Sequence, residues 1–176
     1  MTAAIITASA SIVVAVLAFL LSQRAQLLQE RRQARLTRIN AQLRELYGPL
    51  NTLVDMNEQI WEGLRATILP PREEREVGVG ASEWARWRDS ALMPTNRRMC
   101  DLIIEHADLI IESDVPRPLR EFCSHVLSLE VVITEEAEGV SRRPLVAHPG
   151  DDFVGYVRNS FVQLKNQQQK LLGSTS

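Results

Sequence analysis

The side chains in this 176-residue chain suited to nucleophilic or proton-transfer chemistry near neutral pH are Cys100, Cys123, His106, His125 and His148. A thiol beside an imidazole, with a carboxylate to orient the ring, would make a nucleophile and its base. The spacing opposes that reading. Cys123 and His125 are two residues apart and face different ways on a helix, and Cys100 and His106 are nearly two turns apart. Glu105 and Asp108 bracket His106 at positions one before and two after it, which do not share its helix face. Two histidines from different helices would have to meet to hold a metal, and the Glu-x-x-His pattern of bundle metal sites is missing. There is no glycine-rich phosphate loop and no G-x-S-x-G nucleophile turn. Without a CxxC, the two cysteines read as reduced and buried in a cytoplasmic domain. The expectation is a non-enzymatic protein with no catalytic residue, metal site or cofactor.

The remaining polar candidates suit contact rather than chemistry. Asn96, His106 and Asp108 form a candidate polar contact site, with Asn96 placed just past Pro94 to hydrogen-bond carbonyls that the proline leaves free. Trp61, Trp84 and Trp87 are expected to pack into the core.

The chain that must position these residues begins with 23 uncharged ones, Met1 to Gln23, rich in Ala, Ile, Val and Leu. At about 1.5 Å of rise per residue, roughly 20 helical residues cross a hydrocarbon core about 30 Å thick. Ala3 to Ser22 meets that length, and no charge precedes it as a cleavable signal peptide would require. Arg24, Arg31, Arg32, Arg35, Arg38 and Arg44 follow, against only Glu30 and Glu45. That asymmetry orients the anchor with its amino terminus outside and the bulk of the chain cytoplasmic, at the cell inner membrane. It also assigns Arg24, Arg31, Arg32, Arg35 and Arg38 to contact with lipid headgroups. Small residues at one-turn spacing, Ala3, Thr7, Ser11 and Ala15, would allow two spans to approach closely.

Beyond the arginines, Leu36, Ile39, Leu43, Leu46, Leu50, Leu53, Ile60 and Leu64 keep a three-four heptad spacing, with Asn57 in the one polar slot. Gly48 and Pro49 interrupt this seam and form a hinge: proline removes an amide hydrogen, and glycine bends cheaply. Alanine at both positions is expected to straighten the helix and raise its intrinsic stability. Further apolar helical periods run over 83–112, interrupted by Pro94, then from Pro116 to Gly139 and from Asp151 to Gly173. The fold class is therefore all-α: a transmembrane helix continuing into a helical stalk and an antiparallel cytoplasmic helix bundle. The domains are a transmembrane signal anchor (1–23), an arginine-rich helical stalk (24–46) and a helical bundle (47–176).

Charge bounds the partners. Residues 1–45 carry net +4 and residues 46–176 net −6, and an acidic distal domain excludes nucleic acid as its partner. Arginine outnumbers lysine 18 to 2, as in GC-rich bacterial genomes. Leu46-Tyr47-Gly48-Pro49-Leu50, Met93-Pro94-Thr95-Asn96 and Glu105-His106-Ala107-Asp108-Leu109-Ile110 together resemble a set of uncharacterised bacterial single-pass membrane proteins with a helical cytoplasmic domain. The resemblance implies the topology and no activity. The expected function is a membrane-anchored interaction or scaffold module that contacts membrane lipids and a protein partner or itself. The alternative is a signalling or effector protein whose kinked stalk relays state between bundle and span.

Overall fold

The computed structural model describes residues 2–67, 79–140 and 142–173, with side chains described over 16–67, 82–140 and 142–173. It is all-helical, with no strand among the described residues. Helix α1 (Thr2–Ala41) runs through a π-helical turn, Gln42–Tyr47, into α2 (Gly48–Thr67) as one continuous rod. Helix α3 (Val79–Trp87) passes through a second π-turn, Arg88–Leu92, into α4 (Met93–Glu105). A 3₁₀ turn, Ala107–Leu109, leads to α5 (Arg117–Ala137) and then α6 (Asp151–Gly173).

The rod, α4, α5 and α6 close into a four-membered ring, each packed against two neighbours. Cross-contacts show the antiparallel pairing. Along α4 and α5, Arg88 pairs with Glu136 and Arg97 with Glu130. Between the rod and α6, Arg32 donates to the Leu171 carbonyl while Asp55, further along, meets Arg158. One main core results, with Tyr47, Leu46, Leu50, Met93, Leu119, Phe122 and Val157 fully buried. A second small cluster gathers Leu64 and Leu92 with Ile60, Trp61 and Trp84, the two indoles packed edge to face at 5.6 Å. Trp87 lies outside both clusters and is 40% exposed, so the expected packing holds for two of the three tryptophans.

The two prolines do not break their helices. Pro49 and Pro94 each sit two residues past a π-turn, and the residue before each proline donates its N–H to the carbonyl five back: Gly48 to Leu43 and Met93 to Arg88. Proline lacks the N–H that would reach the carbonyl four back, and its ring crowds that carbonyl. Widening the preceding turn by one residue absorbs both problems without ending the helix. The hinge expected at Gly48 and Pro49, and the interruption expected at Pro94, are therefore widened turns in continuous helices.

That extra residue also shifts the buried face. Gln42, Tyr47 and Val54 are buried, while Leu43, Leu53 and Ile60 of the expected seam are only half-buried. An a/d seam serves one partner helix, whereas the rod meets both α4 and α6 and needs a wider stripe. The helical stretch expected to reach Glu112 stops at Glu105, because His106 leaves the helix with φ −117° and ψ 32°.

Among the described residues no helix is long and apolar enough to cross a membrane. The greater part of the expected span, residues 1–15, lies outside the described side chains. From Val16 to Arg31 every residue of α1 is exposed. Over that length the helix has left the bundle.

Candidate functional site at the stalk–bundle juncture

The segment after α4 is held by the rod through three hydrogen bonds to its backbone. Arg38 Nη2 donates to the Asp108 carbonyl at 3.2 Å, Gln42 Nε2 to the Leu109 carbonyl at 2.9 Å, and the Ile111 N–H donates to the Tyr47 hydroxyl at 3.2 Å. In a regular α-helix Tyr47 would lie about two and a half turns beyond Arg38, on the opposite side. The extra residue of the first π-turn offsets the following face by about 100° and turns Tyr47 toward the same segment. The π-turn is thus what allows one helix to hold 108–111 at successive points.

Tyr47 extends the network. Its hydroxyl lies 2.9 Å from that of Tyr156, which donates to Glu112 Oε2 at 2.8 Å. With the Ile111 N–H donating to Tyr47, the protons run in one direction: Ile111 to Tyr47, Tyr47 to Tyr156, Tyr156 to Glu112. Burial raises the phenol pKa of both tyrosines, and for Tyr156 the neighbouring Tyr47 and Glu112 raise it further. Both rings stay protonated as donors. This is a clamp, and neither phenol is a base.

The sequence-selected polar residues do not converge. Asn96 is buried against α2, where its Oδ1 accepts a 2.6 Å hydrogen bond from Asn57 Nδ2. Thr95 Oγ1 donates to the Ala91 carbonyl one turn back. Asn57 Oδ1 is buried with no hydrogen-bond partner, a cost that offsets part of what this amide pair contributes to stability. His106 ends α4, with its N–H on the Leu102 carbonyl and its own carbonyl accepting from Leu109. Asp108 contributes its backbone to the clamp while its residue is exposed.

Three of the five arginines selected for headgroups bond within the protein. Arg32 donates to the Leu171 carbonyl at the carboxyl end of α6, where a cation also complements the helix dipole. Arg35 reaches Gln167 Oε1 at 3.5 Å, and Arg38 belongs to the clamp. Arg24 and Arg31 lie on the exposed stretch of α1.

The reactive side chains are paired by type. Cys100, buried on α4, and Cys123, half-buried on α5, neighbour each other as free thiols, and burial pushes both up, away from thiolate. His125 and His148 come together instead of joining a cysteine, with ring centroids 5.0 Å apart. His148 also packs edge-on to Phe122 and Phe153. Sequence spacing could not show this pair, because a loop rather than a helix brings His148 there. His125 Nδ1 lies 2.8 Å from the Val146 carbonyl and must donate, so its Nδ1 carries the proton. His148 Nδ1 accepts the Gly150 N–H at 2.9 Å and must be unprotonated. Among the described residues no three His, Cys, Asp or Glu side chains gather as metal ligands.

His148 makes the fold sensitive to acid. Burial of the ring, and then the His125 ring beside it, lower its pKa to about 4, and protonating Nδ1 would break the bond from Gly150. The ring packs against Phe122, Phe153 and His125, but the residue as a whole is exposed, so solvent screening cuts the effect substantially. The unfolded histidine takes up its proton near pH 6.5, before the folded one does, so stability present above that pH falls as the pH drops toward 4. The urea midpoint of the wild type is expected to fall more between pH 7 and pH 5 than that of His148→Gln. Equal falls would rule out His148 as a source of this sensitivity.

No protein-family model, no curated protein and no solved structure matches this chain.

Proposed function

We propose that this chain is a non-enzymatic helical interaction module held at a membrane by its amino-terminal helix. The observation that carries the reading is the bare stretch of α1: Val16, Leu17, Phe19, Leu20, Leu21, Leu27 and Leu28 are each more than half exposed, with no bundle helix covering them. From Val16 to Leu21 every side chain is apolar, Ala18 included, so these turns, about one and a half of them, are apolar on all sides, and such a helix calls for lipid or deep burial. Val16 to Leu21 belong to the uncharged run from Met1, which has the length of a span, and Leu27 and Leu28 follow just past Arg24. Arg24 and Arg31 lie next to it, free to meet headgroups while Arg32, Arg35 and Arg38 brace the bundle. The raised thiols, the neutral tyrosines and the two-histidine pair support the non-enzymatic reading.

The clamp favours a second reading, in which the stalk relays state to the bundle. Rotation of α1 would act directly on 108–111 through Arg38, Gln42 and Tyr47.

Topology reporters test the anchor. In a bacterial host, a carboxyl-terminal fusion is expected to fluoresce in the cytoplasm and to stay with membranes after an alkaline wash. Adding lysines before Ala3 while removing Arg31, Arg32 and Arg35 should weaken or invert the orientation. A carboxyl-terminal reporter active only in the periplasm would overturn the orientation, and release by the wash would overturn the span.

A further inference from the structure

The rod and α6 bring side by side two stretches of chain that lack acidic side chains. From Arg31 to Arg44 the rod carries Arg31, Arg32, Arg35, Arg38 and Arg44, and α6 carries Arg158, Lys165 and Lys170 from Phe153 onward. Of the bundle helices, α6 is the one that packs along α1. Its last turns are pinned there by Arg32 on the Leu171 carbonyl, Arg35 on Gln167 and Gln168 on Asn40. Residues 24–44 and 159–173 together hold six arginines and two lysines against Glu30, net +7, while the rest of the chain carries net −9. Arg35, Arg38 and Lys165 bond to neutral oxygens, on Gln167, the Asp108 backbone and Gln168, and these bonds leave their charge in place. The fold thus sets a basic end against an acidic remainder.

The basic end is also the end nearest the anchor. Arg32 lies about 14 Å along the rod from Gln23, the last residue of the uncharged run, at about 1.5 Å of rise per residue. Helical side chains lean toward the amino terminus, so the carbonyl that Arg32 reaches stands closer, about 10 Å from the hydrocarbon edge. The headgroup layer fills about 5–7 Å of that distance. Beyond it a surface charge acts over about 8 Å at physiological salt. The carboxyl end of α6 therefore falls within reach of the headgroups. Lys170 is exposed there, and Leu172 just past it is 55% exposed. The carboxyl end of a helix is its negative end, which an anionic surface would repel. Arg32 on the Leu171 carbonyl, with Lys170 beside it, offsets that charge.

We propose that the carboxyl-terminal turn of α6, through Lys170 and Leu172, rests on the anionic headgroups of the leaflet that holds the anchor, as a second contact between this chain and the membrane. The proposal rests on the anchored-module reading and adds to it an element remote in sequence from the span. Lys170 supplies the attraction, and Leu172 presents an apolar side chain to the interfacial layer. A single span leaves the tilt of its helix open. A contact about 8–10 Å to one side of the rod, the spacing of two packed helices, sets that tilt. The acidic remainder of the bundle is repelled by the same surface, so the module stands on its basic end.

Acetylation of the full chain in lipid nanodiscs tests the contact, with each lysine read by mass spectrometry. Lys165 and Lys170 are the two lysines of the chain, and both are exposed. Lys165 lies about 7 Å further from the membrane along α6 and serves as the internal reference. Discs of phosphatidylcholine alone are compared with discs of equal parts phosphatidylcholine and phosphatidylglycerol. Lys170 is expected to react about fivefold more slowly in the anionic discs, the factor that corresponds to about 1 kcal/mol for a basic residue at such a surface. Lys165 should slow by less than about twofold, and about 0.5 M sodium chloride should abolish the difference at Lys170. Equal rates for Lys170 in the two discs, or equal slowing of both lysines, would overturn the proposal. Inorganic phosphate that slows Lys170 as much in neutral discs would also overturn it, since the site would then take a free anion. A chain that enters neither disc overturns the anchor and this contact with it. A chain held in both discs with Lys170 unprotected loses the contact and leaves the anchor standing.

Discussion

Gly48→Ala is expected to destabilise the bundle by about 2–4 kcal/mol. A Cβ at position 48 would stand 2.3 Å from the Leu43 carbonyl oxygen, closer than any real methyl contact. That oxygen is the one to which Gly48 donates its own N–H, five residues back, so the crowding belongs to the π-turn itself. Glycine is required here by this close approach, since its φ of −67° is one any residue adopts. The opposing gain is helix propensity, about 1 kcal/mol for replacing glycine with alanine. The clash is with backbone rather than with a flexible side chain, so it outweighs that gain. It also reverses the stabilisation expected from the sequence for alanine at this juncture. Relief would come by expelling the extra residue from the turn. That would swing Tyr47 about 100° away from Ile111 and Tyr156 and open the clamp. Pro49→Ala only restores an amide hydrogen and is expected to change stability by less than about 1 kcal/mol. Urea unfolding of both variants, with amide exchange at Ile111 as a local probe, distinguishes the two cases. A Gly48→Ala protein as stable as the wild type would show that the widened turn is dispensable.

Phe122→Ala should cost about 3–5 kcal/mol. Phe122 is fully buried and stacks on Phe153 with ring centroids 3.9 Å apart and planes within 2° of parallel. It also forms a wall for His148, so truncation leaves a cavity at the contact of α5, α6 and the loop between them. Leu53, a member of the heptad seam, is half-buried beside the core and should cost about 1–2 kcal/mol as alanine. The ring pair itself is expected to contribute about 0.5–1.5 kcal/mol beyond area burial in a Phe122/Phe153 double-mutant cycle. Equal losses for Phe122→Ala and Leu53→Ala would contradict this placement of the core.

Helical class, element order and antiparallel folding were all legible in the periodicity. Leu46, Leu50 and Leu64 on the rod, Leu119, Phe122 and Val126 on α5, and Val157 and Leu164 on α6 lie at the spacing of one apolar face and are buried as that spacing requires. Hydrophobic period is a local property, carried by residues within a few turns of each other, so a linear chain displays it. The uncharged run from Met1 and the arginines after it are also local, and their meaning for a membrane comes from composition and length.

What tertiary structure decided is everything that depends on which carbonyl a residue meets. Gly48-Pro49 and Met93-Pro94 are ordinary helix-disrupting pairs in a linear reading, and the structure converts each into a widened turn inside a continuous helix. A heptad count assumes a constant advance per residue, so one extra residue at 42–47 exchanges Leu43 and Leu53 for Gln42 and Val54 at the core. The same offset gives Tyr47 its place among Ile111, Tyr156 and Glu112, residues 64 or more positions away. Asn96 pairs with Asn57, and His125 with His148, for the same reason. These partners lie on different elements, and only the closing of the ring of helices brings their side chains within reach.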